Sequence, residues 1–362
     1  MKIKMHLWKT IMMIGCSIFL FGCKADSTAN EKANLTASDN GIISSNDDTA
    51  INEGNEESSL SENSTNTAAD INETPSTDNN ADSYVRHNGL LPEERSSISL
   101  GKLSSDHEFY NEVINIDPDC VDYIQELTIY DAEIDDTFVV HISLPPSYDE
   151  TKSYPLVVMT DGIWRLSDHP ELRPLMENGE IEDVILVSIG YPNGYDYWTI
   201  RERDLVNHPD DFLYFIVDNL IPYLSETFSV SSENTTLTGH SLGGYFAFYA
   251  LFYNDTIGLN TFENFYIGSP SPQAHTDGLF ARNHEERYYA ESQSLPANVY
   301  ITVGGDENHS FVDSIEQFVQ QIQDRNYEGL HLTYEVIEGY SHETVFKPSI
   351  RNTMLMFYGT EP

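Results

Sequence analysis

The chain has 362 residues, room for one large α/β domain plus appended segments. It carries 59 acidic against 18 basic residues, a net charge of −41, and no basic stripe that could neutralise phosphates. That balance excludes nucleic acid as a partner and an anionic membrane as an electrostatic dock.

Met1 to Lys9 is basic, with Lys2, Lys4 and Lys9, and an apolar run follows from Ile11 to Phe21. A basic start, a short apolar stretch and a small residue at the cut describe a secretory signal over residues 1–22. The run is shorter than the ~20 residues that span a bilayer. Its ending, Leu20-Phe21-Gly22-Cys23, resembles a bacterial lipobox. That resemblance implies lipid on Cys23, and a protein held on a membrane by acyl chains while facing outside the cytoplasm. Residues 23–95 are rich in Ser, Asn, Thr, Asp and Glu, with apolar residues scattered without period. Such a segment buries too little to offset the entropy of ordering, so a disordered acidic tether is expected. Cys16 and Cys23 fall in these segments, which leaves Cys120 as the one thiol of the domain expected over residues 96–362, and no disulfide within it.

Residues Val121–Tyr130 and Thr137–Leu144 read as two strands of a hairpin, closed by Pro145-Pro146. Continuous apolar runs at Tyr154–Thr160 and Val184–Ile189 read as strands covered on both faces. Asp211–Ser229 has helical spacing with Pro222 inside it, which predicts a kink or a split. The short β-branched stretch Thr235–Thr238 leads into Gly239-His240-Ser241-Leu242-Gly243, followed by an apolar helix from Gly244. Further strands are expected at Phe265–Ile267, Val299–Val303 and Leu330–Ile337, with helices at Phe311–Gln323 and near Phe346–Tyr358. Strands alternating with helices after an opening hairpin predict an α/β-hydrolase fold: a doubly wound, mostly parallel sheet with an antiparallel N-terminal hairpin. Ligands bind such sheets at the strand C-termini.

The G-x-S-x-G at Gly239–Gly243, between a strand and a helix, is the pattern of a nucleophile elbow, with Ser241 as the nucleophile. The base must follow in sequence, and His342, between the last strand and the last helix, has the right topological place. The acid is expected after the preceding strand, where Asp306 and Glu307 stand side by side. The spacing favours Glu307, with Asp306 as the alternative. One oxyanion-hole donor is the N–H of Leu242. The other comes from the loop Asp161-Gly162-Ile163-Trp164, Ile163 first and Gly162 second. Trp164 and Trp198 are candidates for lining a substrate pocket, and equally for the core or surface. Arg201 and Arg203 could offset an anionic substrate. No metal-ligand motif appears, so neither metal nor cofactor is expected.

These residues resemble the Putative esterase family of α/β-hydrolases, the enterochelin-esterase and S-formylglutathione-hydrolase-like branch. The resemblance runs from about Phe138 to Tyr358. It is carried by Tyr154–Gly162, Gly239–Gly244, Gly268-Ser269-Pro270-Ser271 and Gly339-Tyr340-Ser341-His342, and by Arg203-Asp204, which matches a motif shaping the active-site rim. It implies a serine carboxylic-ester hydrolase working through an acyl-enzyme on a small-molecule or glycan ester, either a siderophore ester or an acylated carbohydrate. The Asp306-Glu307 pair departs from the family pattern. An acyltransferase on the same triad and a non-catalytic binding lipoprotein are the alternatives.

Overall fold

The structure, a computed structural model, describes residues 96–103, 108–109, 112–113 and 123–360. The expected signal and tether, with Cys23, lie outside them. Nine strands form one sheet: β1 (Ser96–Lys102), β2 (Ile124–Asp131), β3 (Asp136–Ser143), β4 (Leu156–Met159), β5 (Ile185–Gly190), β6 (Thr236–His240), β7 (Asn264–Gly268), β8 (Ser294–Gly304) and β9 (Glu328–Ile337). Their order is β1-β2-β3-β5-β4-β6-β7-β8-β9. The pairs from β1 to β5 are antiparallel. Those from β5 through β9 are parallel. The expected hairpin is β2–β3, in register from Ile124↔Ser143 to Asp131↔Asp136. Its turn closes because Asp131 Oδ1 accepts the N–H groups of Glu133 and Ile134 at 2.9 and 3.0 Å.

Every residue of β4 and β5 is buried, as continuous apolar runs require. Edge strand β9 instead alternates half-buried Leu330, Leu332, Tyr334 and Val336 with exposed partners. Strand β1 is an addition to the sequence reading. Its polar Ser-Ser-Ile-Ser-Leu gains its order from pairing with β2 rather than from its own propensity.

Helices are α1 (Gly162–Arg165), α2 (Asp168–Glu177), α3 (Tyr197–Glu202), α4 (Pro209–Tyr214), α5 (Ile221–Thr227), α6 (Leu242–Phe252), α7 (Ala281–Glu291), α8 (His309–Arg325) and α9 (Phe346–Tyr358). They cover both faces of the sheet. One core joins Phe138, Phe212, Phe215, Phe246 and Phe318, and the other joins Val157, Leu172, Tyr266, Tyr300 and Met354. Helix α6 is buried from Gly243 to Phe252, which is why it reads as apolar all round. The helix expected over 211–229 is split, as Pro222 predicted. Between α4 and α5 the backbone widens to a π-turn at Phe215–Leu220, and Pro222 then sits in the first turn of α5, where its missing N–H costs least.

His169 of α2 is fully buried, with Nε2 2.9 Å from Ser188 Oγ of β5. Burial holds its pKa down to about 3, and holds that of His284 on α7 down to about 4. A neutral buried histidine stabilises the fold fully above its unfolded pKa of about 6.5 and loses that contribution as pH falls towards the folded value. Stability is therefore expected to drop on acidification below pH 6.5, each such histidine adding a slope of up to about 1.4 kcal/mol per pH unit. Denaturant midpoints between pH 4 and 7 check this. His169→Gln should flatten the profile, and an unchanged slope would show that His169 takes up its proton without unfolding.

Candidate active site

Ser241 lies between β6 and α6 with φ 60° and ψ −118°, a region that non-glycine residues avoid. Such a conformation costs about 1–3 kcal/mol and persists only when its surroundings overdetermine it. Here they do. Ser241 N–H donates to the Gly268 carbonyl at 3.0 Å, and the Ser241 carbonyl accepts from Tyr245 and Ser271 N–H, each at 3.0 Å. Glycines make the turn possible. A Cβ on Gly239 would sit 1.9 Å from the Gly243 carbonyl oxygen, and one on Gly243 would sit 2.3 Å from Thr160 Oγ1. Leu242 is the first residue of α6, so its N–H has no partner within the helix and lies at the positive end of the helix dipole.

Glu307 follows β8 and is turned inward, its side chain only 3% exposed. One oxygen, Oε1, accepts the Ser269 hydroxyl at 2.6 Å and the Gly304 N–H at 2.7 Å. The other, Oε2, lies 2.8 Å from His342 Nδ1. A carboxylate only accepts, so this contact assigns the proton to Nδ1 and leaves Nε2 as the imidazole acceptor. Asp306 is exposed, and its backbone N–H donates to the Tyr340 carbonyl at 3.0 Å. The structure therefore brings Glu307, not Asp306, to His342. His342 stands in the loop between β9 and α9, where Val345 N–H donates to the Ser341 carbonyl at 3.0 Å. Its ring meets Phe311 edge-on, centroids 5.4 Å apart, and the His240 ring at 4.7 Å. Burial holds the His240 pKa well below its usual value, so this neighbour stays neutral and puts no second positive charge beside His342.

The loop after β4 completes the cluster. Asp161 adopts a left-handed conformation (φ 61°, ψ 46°), and its carbonyl accepts from Trp164 and Arg165 N–H. Gly162 is required, because a Cβ there would lie 2.6 Å from Gly190 N. Ile163 is buried in the first turn of α1, with the buried Tyr197 hydroxyl beside its backbone.

Two charged residues expected at the substrate are engaged elsewhere. Arg201 is 3% exposed and holds Asp161 with two bonds, Nε–Oδ1 and Nη2–Oδ2, both 2.8 Å. A guanidinium can be buried only against such a partner, and topology supplies one from 40 positions earlier in the chain. Arg201 therefore braces the loop after β4. Arg203 bonds both oxygens of Asp204, at 2.7 and 3.1 Å, and Asp136 at 2.5 Å, tying the rim to β3. Trp164 is half-buried, packed edge-on against Tyr197 at 4.9 Å, while Trp198 is 50% exposed. Both rings lie over Arg201, 5.2 and 5.1 Å from its guanidinium carbon, and of the two Trp198 faces solvent.

Two serines gained no role from sequence, although their Gly-Ser-Pro-Ser segment stood out. Ser269 holds Glu307, and the Ser271 hydroxyl lies 3.4 Å from that of Ser241. One turn after β7 thus touches both ends of the cluster. No group of three or more His, Cys, Asp or Glu residues among the described residues is placed to hold a metal ion.

A family model described as Putative esterase matches residues 132–355. The ferri-bacillibactin esterase BesA of Bacillus subtilis is 21% identical over 238 residues, covering 58% of this chain and 80% of that protein. Among solved structures, the BES protein from Bacillus cereus superposes with a TM-score of 0.59 at 23% identity, over 70% of this chain and all of that one. Siderophore hydrolase EstA from Aspergillus nidulans gives 0.58 at 19%, over 68% and 97%. These superpositions show the α/β-hydrolase-like fold.

Proposed function

The chain belongs to the Putative esterase family and is a serine esterase, and from that premise we propose that it hydrolyses a siderophore-like carboxylic ester through an acyl-enzyme on Ser241. The observations that carry the mechanism are the strained Ser241 elbow and a His342 whose Nδ1 is held by buried Glu307 and whose ring lies 4.7 Å from that of His240, the residue before Ser241. In this reading His342 Nε2 takes the Ser241 proton as Oγ attacks the acyl carbon. The N–H of Leu242 at the positive end of α6 meets the negative charge that develops on the carbonyl oxygen, with the Gly162-Ile163 turn as the source of the second donor. The carbon–oxygen bond to the alcohol then breaks, and His342 returns the proton to the leaving alkoxide. Water repeats the sequence on the acyl-enzyme and frees the acid. Glu307 stabilises the imidazolium in both halves without itself taking the proton. Support for the substrate class comes from relatives named as siderophore and ferri-bacillibactin esterases.

The test compares a catecholate siderophore ester, an acetylated sugar and a short-chain nitrophenyl ester, with glycerol present as a competing acceptor. The siderophore ester is expected to give the highest kcat/KM and the free acid as product. A higher value on the acetylated sugar would move the substrate class to carbohydrates. Acylglycerol as the main product would make the enzyme a transferase.

A further inference from the structure

Beside Ser271 lies a cavity of about 480 Å³, within the range of about 300–1,000 Å³ typical of ligand pockets. Phe248, Ile315 and Phe318 form its apolar wall, and Ser271, Arg282 and Gln317 supply its polar groups. Ser271 links it to the reacting centre, since its hydroxyl is 3.4 Å from that of Ser241. We infer that this cavity is a subsite for one arm of the ester, and that Arg282 selects an arm bearing a carboxylate or a phenolic oxygen. The inference rests on Ser241 being the nucleophile.

Charge carries the argument. Arg165, Arg173, Arg201, Arg203, Arg325 and Arg351 each lie against a carboxylate. Arg282 has no carboxylate within ion-pair distance among the described residues. Its backbone carbonyl accepts from Gln321, and the residue is exposed and lines the cavity. The nearby buried carboxylate, Glu285, is held by Arg325 at 3.0 Å and by the Tyr327 hydroxyl at 2.7 Å. Arg287, which also has no carboxylate partner among the described residues, bonds the Tyr253 hydroxyl instead, so Arg282 is the cation on the cavity wall available to a ligand. In a chain of net charge −41, an anionic substrate meets general repulsion, and a cation without a carboxylate partner on the wall of a cavity that reaches Ser271 supplies local attraction. The apolar wall favours an arm that is planar and carbon-rich up to its charged end.

The test uses nitrophenyl esters of butyric acid, of glutaric acid as its monoester, and of 4-hydroxybenzoic acid. Butyrates of neutral and of carboxylated phenols cover an arm on the alcohol side. Wild type, Arg282→Gln and Arg282→Lys are compared at low and high salt. Arg282→Gln should lower kcat/KM by about tenfold on whichever series places its anionic or phenolic group in the cavity, mainly through KM, and by less than about twofold on the neutral esters. Salt should shrink the difference, and Arg282→Lys should restore most of the loss on carboxylates. Equal losses on neutral and anionic esters, or no loss on either, would overturn the subsite. Ser241→Ala on the neutral butyrate separates the two readings. Turnover that survives it removes the nucleophile assignment, whereas Ser241-dependent turnover without Arg282 selectivity removes only the subsite.

Discussion

Ser241→Ala lowers kcat on a short-chain nitrophenyl ester by about 10³–10⁶-fold, and His342→Ala does so to a similar extent. The two losses are not additive. Once either residue is gone, the double variant falls little further, because nucleophile and base act as one unit. The expectation follows from the elbow. The Ser241 backbone at φ 60° is held by three bonds to Gly268, Tyr245 and Ser271, which hold the Oγ in place whether or not substrate is present. In the proposed mechanism, removing Oγ deletes the bond-forming atom, while the proposed oxyanion donors remain to bind the ester. KM should therefore change far less than kcat. Steady-state kinetics on purified wild type and variants checks this, and equal rates for wild type and Ser241→Ala would place the chemistry elsewhere.

The second large effect distinguishes two adjacent carboxylates. Glu307→Gln should cut kcat by about 10²–10⁴-fold, whereas Asp306→Asn should leave it within about twofold. Glu307 uses both oxygens, one on His342 Nδ1 and the other on Ser269 and Gly304. Glutamine keeps the shape and one acceptor, so the buried Gly304 N–H need not lose its partner. Its amide group, however, cannot accept the Nδ1 proton, and the imidazole is driven to the wrong tautomer. Glu307→Ala would combine this loss with two orphaned donors, and should lower thermal stability as well as rate. The comparison thus needs both readouts: Glu307→Gln changes kcat with little change in Tm, and Glu307→Ala changes both. A larger loss for Asp306→Asn than for Glu307→Gln would move the acid to Asp306.

The reading of Asp306-Glu307 shows where sequence stops. Neighbouring residues in a turn point to opposite sides, and which side faces the histidine depends on how β8, β9 and their loops stack. Gly304 carries that answer: a Cβ on it would lie 2.3 Å from the Tyr340 carbonyl, so the acid loop and the histidine loop are in backbone contact. The arginines show the same limit. Arg201 and Arg203 are cations in sequence, but their charges are taken by Asp161, Asp204 and Asp136. Arg282 drew no notice, because no local motif surrounds it.

By itself the sequence determined the element types, the elbow and the loop that holds the histidine. Continuous apolar runs must be buried strands, and the glycines of Gly239-His240-Ser241-Leu242-Gly243 are demanded by approaches of under 3 Å, from the Gly243 carbonyl at Gly239 and from the Thr160 hydroxyl at Gly243, that a local pattern already announces. The resemblance of Leu20-Phe21-Gly22-Cys23 to a lipobox is likewise a local pattern, and it lies outside the described residues. Tertiary structure alone decided the pairing of β1 with β2, the choice of Glu307, the neutralisation of Arg201 and Arg203, and the exposure of Arg282 beside Ser271. Most of these depend on a partner distant in the chain, such as Asp161 for Arg201, 40 positions away, and Asp136 for Arg203, 67 away. An ionised or polar group acquires its role from what desolvates and pairs it, and in a parallel sheet those partners arrive only when the strand C-termini meet at one edge.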